Sequence, residues 1–232
     1  MTRDPIEALA ASPPPTPPPL AMELEAELGM LRPVGTRRPL RQLMMLCAAS
    51  LFYGAGVLAV VTSRRDAGEL PIAWMIGAGL AWLLGFVIPS HLALVPRAGS
   101  VIPRWRLAAI AAVVTAVVFV LLGLMIHPSG PSSLYYGTER FLEGHACLEI
   151  GLATALVPIV LGTIFLRGAL PVGARWIAAA LGAGGGNLGG LVLHLHCRVT
   201  DPLHVGVVHG GIVLVAAVLA AAMVPRAADV RS

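Results

Sequence analysis

"LAAIAAVVTAVVFVLLGLMI", residues 107–126, is twenty residues long, has no charged side chain, and contains a single hydroxyl, that of Thr115. At about 1.5 Å of rise per residue a helix of this length crosses the roughly 30 Å hydrocarbon core of a bilayer. Lipid holds no water to satisfy a free backbone N–H or C=O, and the run does not alternate apolar with polar as a barrel strand would. It is therefore a membrane-spanning helix. Five more windows of the same kind lie at about 42–62, 72–95, 147–166, 175–195 and 204–224. The whole chain agrees: 57% of its residues are hydrophobic, 12% are charged, and the mean hydropathy is +0.83. A soluble domain carries about 25% charged residues. The expected fold is all-α, a polytopic membrane protein of six transmembrane helices. Pro89 and Pro158 fall inside the second and fourth windows, where a kink is expected. The first forty residues lack the short apolar core and small-residue cleavage site of a secretory signal.

Charge in the connections sets the orientation. Arg32, Arg37, Arg38 and Arg41 precede the first span. Arg97, Arg104 and Arg106 follow the second, Arg167 and Arg175 flank the fourth connection, and Arg226 and Arg231 lie in the tail. The intervening connections are balanced or acidic, with Arg64 and Arg65 against Asp66 and Glu69, Arg140 against Glu139 and Glu143, and Arg198 against Asp201. Cytoplasmic loops hold the positive excess, so both termini are expected in the cytoplasm. All 16 basic residues are Arg, which we read as codon bias.

That topology gathers the chain's metal-binding side chains on the outer face. "LVLHLHCRVTDPLHVGVVHG", residues 191–210, carries four of the seven histidines, and "EGHACLEI" opens the fourth span with His145, Cys147 and Glu149. Cys147 and Cys197 share an oxidising side on which a disulfide is allowed if the Cα atoms lie within about 7 Å. Thiolate with imidazole is also the ligand set of zinc, copper or cadmium, with His145, His194, His196 and His204 as candidates beside the cysteines. On a helix His194 and Cys197 share a face, as do His145 and Glu149. The spacing fits no standard zinc pattern. Interfacial histidines with a structural cysteine pair would look the same in sequence. Cys47 lies inside the first span and reads as a packed thiol. Gly182, Gly186 and Gly190 repeat every four residues around Asn187, a small-residue face that lets helices approach closely with Asn bonding across the contact. His91 and His209 lie toward opposite sides, so a bis-histidine haem is not expected.

The N-terminal region has its own pattern. "ASPPPTPPPL" is an extended tether. After it Leu20, Leu24, Leu28 and Leu31 form one apolar stripe of a short helix that Pro33 ends, with Glu23 and Glu27 on another face. Residues 1–31 hold one Arg against five acids, a net charge of −4. Such a helix is repelled by the anionic inner leaflet and suits a groove on a basic protein partner. The chain thus divides into a cytoplasmic region 1–40, a bundle 41–225 and a short tail 226–232.

The segments "LEAELGMLRPV", "LRGALPVGARWIAAALGAGGGNLGG" and "LHLHCRVTDPLHVGVV", with Cys147 opening the fourth span, resemble the NrsF family of membrane-embedded anti-sigma factors. The resemblance is strongest over residues 147–210, and most specific from His196-Cys197 through Asp201-Pro202-Leu203. It implies a six-span inner-membrane protein whose cytoplasmic N-terminus, here Leu20, Leu24, Leu28, Leu31, Pro33 and Val34, holds an extracytoplasmic-function sigma factor inactive. It implies also that Cys147 and Cys197 sense metal or oxidative stress. His204 and His209 stand where the family usually has aromatics, which favours a metal. The partners expected are the sigma factor and the lipid bilayer, with no direct nucleic-acid contact. No catalysis is expected. The rival classes are a small transporter of metal or solute and a membrane thiol redox protein. Against the first, the spans lack the intramembrane acids or paired charges a transport path needs. Against the second, there is no CxxC pair.

Overall fold

The computed structural model describes residues 37–96, 99, 101–125, 128–135, 145–168 and 172–228. The N-terminal stripe from Leu20 to Val34, the second connection's Arg97, the third connection's Glu139, Arg140 and Glu143, and Arg231 of the tail lie outside the described residues. The described chain is helical, with six helices long and apolar enough to cross a membrane. They are α1 (Pro39–Val61), α2 (Ile72–Leu94), α3 (Arg104–Met125), α4 (His145–Leu166), α5 (Ala174–His196) and a sixth span, His204–Ala228. The first turn of the sixth span is a π-helix, His204–His209, and the remainder is α6 (Gly210–Ala228). A 3-10 turn, Ala67–Glu69, links α1 to α2. Each span lies within four residues of its apolar window, because hydrocarbon thickness sets the length. Pro39 starts α1 at the one place where a missing N–H costs nothing.

Lipid-facing and protein-facing surfaces are both apolar, so hydropathy cannot sort the helices into a bundle. Side-chain size does. α5 is the centre, with every residue from Ile177 to Gly190 buried. Its glycines admit three neighbours. Gly182 and Gly186 lie against Ala216 and Val213 of α6, Gly185 and Gly189 against Ala155 and Gly151 of α4, and Gly184 against Ser90 of α2. A methyl group placed on Gly186 would stand 2.6 Å from the Val213 Cα, so backbone contacts backbone here. By contrast Phe52 and Val60 of α1 and Val113, Val114 and Val117 of α3 are exposed, as a lipid-facing surface requires.

Two details differ from the expectation for this segment. Gly182, Gly186 and Gly190 do not form one face, because a four-residue step drifts about 40° per repeat on a 3.6-residue helix. Gly190 has rotated onto the ring of Trp82 in α2, which in turn stacks on Phe119 of α3 at 3.9 Å. Asn187 does not bond across a helix contact. Its Nδ2 donates to the Ala183 carbonyl of its own helix at 2.8 Å, and its buried Oδ1 has no hydrogen-bond partner among the described residues.

The connections segregate to the two ends of the bundle. At one end the Arg64 N–H donates to the Leu195 carbonyl (2.9 Å), the Leu134 N–H to Arg198 (2.9 Å) and the Thr200 N–H to Leu134 (2.9 Å). Arg64 grips Asp66 with two nitrogens, at 2.7 and 2.8 Å, and the Ser133 hydroxyl donates to the same carboxylate at 2.6 Å. Glu69 accepts the Ser132 N–H at 2.8 Å. At the opposite end Arg104 donates to the Leu92 carbonyl (3.2 Å) and to that of Ala93, a cation closing the C-terminus of α2. Gly168 there reaches the Ala228 carbonyl at 3.2 Å. The first, third and fifth connections therefore share one end, as six alternating passes demand.

Candidate sensor site

Three spans contribute to the site at the Asp66 end. Cys147 is the third residue of α4. Cys197 caps α5: its N–H still bonds the Leu193 carbonyl at 2.7 Å, but its backbone is already extended, which turns the chain away from the helix axis. The two sulfurs lie 3.5 Å apart, with the Cys147 thiol donating to Cys197, and no bond joins them.

The "DPL" run then restarts the helix. The Oδ1 of Asp201 accepts the N–H groups of Leu203 (2.9 Å) and His204 (3.3 Å), and Pro202 follows with its φ already suited to the first turn. This fixes His204, fully buried, with its Nε2 3.7 Å from the Cys197 sulfur. The π-turn adds a second imidazole. On a regular α-helix residues five apart point about 140° away from each other. Here the Gly210 N–H reaches the Val205 carbonyl, five residues back, and the wider turn brings His209 beside His204. Their ring centroids are 5.0 Å apart at an interplanar angle of 75°. Gly206 and Gly210 let this wide turn press against Leu124 and Val120 of α3. One ligand atom from each of Cys147, Cys197, His204 and His209 lies within 4.8 Å of every other. His209 is 4% exposed and its Nε2 has no hydrogen-bond partner among the described residues.

The other candidates go elsewhere. His194 is buried, but its Nε2 faces the Met75 carbonyl at 3.0 Å and its ring meets Trp74 edge-on. The half-buried His196 turns its Nδ1 to the Thr62 carbonyl at 2.7 Å, and His145 is exposed at the start of α4. Of the four histidines singled out in the sequence, His204 alone joins the cysteines. The fourth member, His209, escaped because a five-residue spacing puts two side chains on opposite faces unless the helix widens. Cys47 of α1 packs against the hydrophobic core of the bundle and takes no part.

Its neighbours tune the acidity of Cys197. The hydrogen bond from Cys147 holds its thiol below the ordinary range, burial opposes this, and His204 and His209 pull it further down. In the same end of the bundle, the bond from Arg64 keeps the Asp66 carboxyl below its usual range against the effect of burial, with Ser133 assisting. Chemically the four-residue cluster can do two things. The sulfurs can close by about 1.5 Å to the 2.05 Å of a disulfide, or the four groups can hold a metal ion.

A helical membrane protein in which cysteine and histidine from three spans converge at one end of the bundle is the class that fold and site define. The sequence pattern of the NrsF family, described as negative regulator of sigma F, matches residues 29–228. The chain belongs to that family, and its role is that of a negative regulator of a sigma factor. The matched region includes Leu31, Pro33 and Val34 and begins after Leu20, Leu24 and Leu28. Neither the curated proteins nor the solved structures contain a match to this chain.

Proposed function

We propose that this protein is an anti-sigma factor of the bacterial inner membrane, with both termini in the cytoplasm, that holds an extracytoplasmic-function sigma factor away from RNA polymerase. The apolar stripe Leu20, Leu24, Leu28 and Leu31, with Pro33 and Val34, is the grip. The Cys/His cluster faces outward and is the sensor of metal or oxidant. The observation that carries this reading is the 3.5 Å approach of Cys147 and Cys197, fifty residues apart in sequence, in a family of sigma-factor regulators. A ligand can shift a two-state bundle only through unequal affinity for the two states. A bond or ion joining α4, α5 and the sixth span meets that requirement, because it exists only in the arrangement that brings the four groups together. Release follows when that arrangement weakens the hold of the N-terminal segment. The protein touches no DNA and catalyses nothing in this scheme.

The test is sigma-dependent transcription in cells. Cys147→Ser and Cys197→Ser should each abolish induction by oxidant or thiophilic metal, and the double variant should add little, since the pair works as a unit. Wild-type induction in the double variant would remove the cluster from the pathway. For the grip, residues 1–40 should retain the sigma factor, and Leu24→Glu with Leu28→Glu should release it, because a carboxylate is costly to desolvate in an apolar groove. Full repression by that double variant would exclude the stripe.

A further inference from the structure

We infer that Cys147, Cys197, His204 and His209 form a Cys2His2 binding site for one divalent thiophilic cation of the zinc and cadmium class. Only the regulatory use of that site rests on the function proposed above.

Geometry comes first. A tetrahedral ion with bonds of about 2.3 Å to sulfur and 2.0–2.1 Å to nitrogen separates its ligand atoms by roughly 3.3–3.8 Å. Cys147 Sγ to Cys197 Sγ is 3.5 Å, and Cys197 Sγ to His204 Nε2 is 3.7 Å, both edges of such a tetrahedron. The whole set lies within 4.8 Å, so small side-chain adjustments bring the remaining ligand atoms to tetrahedral separations.

Charge balance selects the ion. Each thiol gives its proton to water as it binds, two protons per ion, and the imidazoles bind neutral. Two thiolates, two imidazoles and a divalent cation sum to zero, which suits a site where Cys197, His204 and His209 are buried. Cuprous ion would leave a net negative charge, and magnesium or calcium would demand oxygen ligands that the cluster does not offer. The Nε2 of His209, buried and without a hydrogen-bond partner of normal geometry among the described residues, gives a second observation: a buried imidazole nitrogen needs an acceptor, a donor or a metal. A cavity of about 270 Å³, lined by Arg64, Trp74, Trp82, His194, Cys197 and His209, leads to two of the four ligands. The Arg64 charge in its lining is already neutralised by Asp66, so it does not bar a cation.

Cobalt(II) titration of the reduced full-length protein in detergent tests the site. One equivalent should give the intense visible bands of tetrahedral thiolate–imidazole cobalt, and zinc or cadmium should displace it. His209→Ala and the bulkier His209→Gln should each weaken cobalt binding by at least about 100-fold, beyond the 10–100-fold cost of an outer-shell partner. His204→Ala should do the same, and His145→Ala and His194→Ala should leave the spectrum intact. Disulfide formation between Cys147 and Cys197 with diamide, followed by mass, verifies that each His209 variant keeps the cysteines together. Wild-type affinity in both His209 variants, a six-coordinate spectrum, or no binding by the reduced wild type would overturn the inference. None of these readings involves the sigma factor, so the site can fail while the regulatory role stands, and the reverse.

Discussion

Asp66 is fully buried, and its charge survives on two nitrogens of Arg64 and one hydroxyl of Ser133. A carboxyl held below its ordinary range lends stability that is present above the unfolded value, about 3.9, and is lost as pH falls through the folded one. The unfolding temperature of the solubilised protein should therefore stay level from pH 7 down to about 4 with respect to this group, then drop. Asp66→Asn should cost about 1.5–3 kcal/mol at pH 7, the worth of hydrogen bonds to a charged group, and should lack that acid limb. Parallel curves for variant and wild type at every pH would show that the pair does not brace this end. None of this was readable beforehand: Arg64 and Asp66 look like any balanced loop, and Ser133 is sixty-seven residues away from its partner. Cys147 and Cys197 were legible as two thiols at span ends on one membrane face, but nothing in the sequence set His204 apart from His145, His194 and His196. His209 was not legible, because its membership depends on a helix that departs from the 3.6-residue period.

Helix lengths came directly from the hydrocarbon thickness, whereas helix neighbours did not. In lipid the apolar character of a side chain is the same against a tail or against another helix. What α5 reveals is instead where nothing protrudes. Gly186 and Gly56 make the contrast measurable. Gly56 of α1 has open space where a Cβ would go, and Gly186 has the backbone of α6. Gly56→Ala should be neutral or stabilise by about 0.5–1 kcal/mol through helix propensity. Gly186→Val should destabilise by about 1–3 kcal/mol or more as α5 and α6 are forced apart. Unfolding in increasing dodecyl sulfate reads both, and equal midpoints would mean that close packing on α5 is not what holds the bundle. The same Gly186→Val protein should form less of the Cys147–Cys197 disulfide under mild oxidant, since α5 carries Cys197 and is anchored through that contact.

For the molecule as a whole, the arginine asymmetry predicts which end faces the cytoplasm, and enzyme fusions check it. Reporters placed after Arg64, near Tyr135 and near Val199 should be active only outside, and those near Gly99 and Gly168 only inside. A cytoplasmic signal at Tyr135 would turn the cluster inward and exclude the outward sensing proposed for it. The bundle's centre carries a different consequence, one for biogenesis. Between residues 182 and 190, six of nine positions are glycine and one is asparagine, so α5 offers the insertion machinery little of the Leu, Ile, Phe and Val that favours entry into lipid. It has to be sheltered by α2 and α4, already made, and then sealed by a sixth span still on the ribosome. A nascent chain halted at Thr200 should consequently extract from membranes with alkaline carbonate and be degraded quickly, while the full chain does neither. The last span to arrive also delivers His204 and His209. Completion of the Cys/His cluster is thereby coupled to completion of the protein, and an unfinished copy in the membrane has neither a stable core nor a complete cluster.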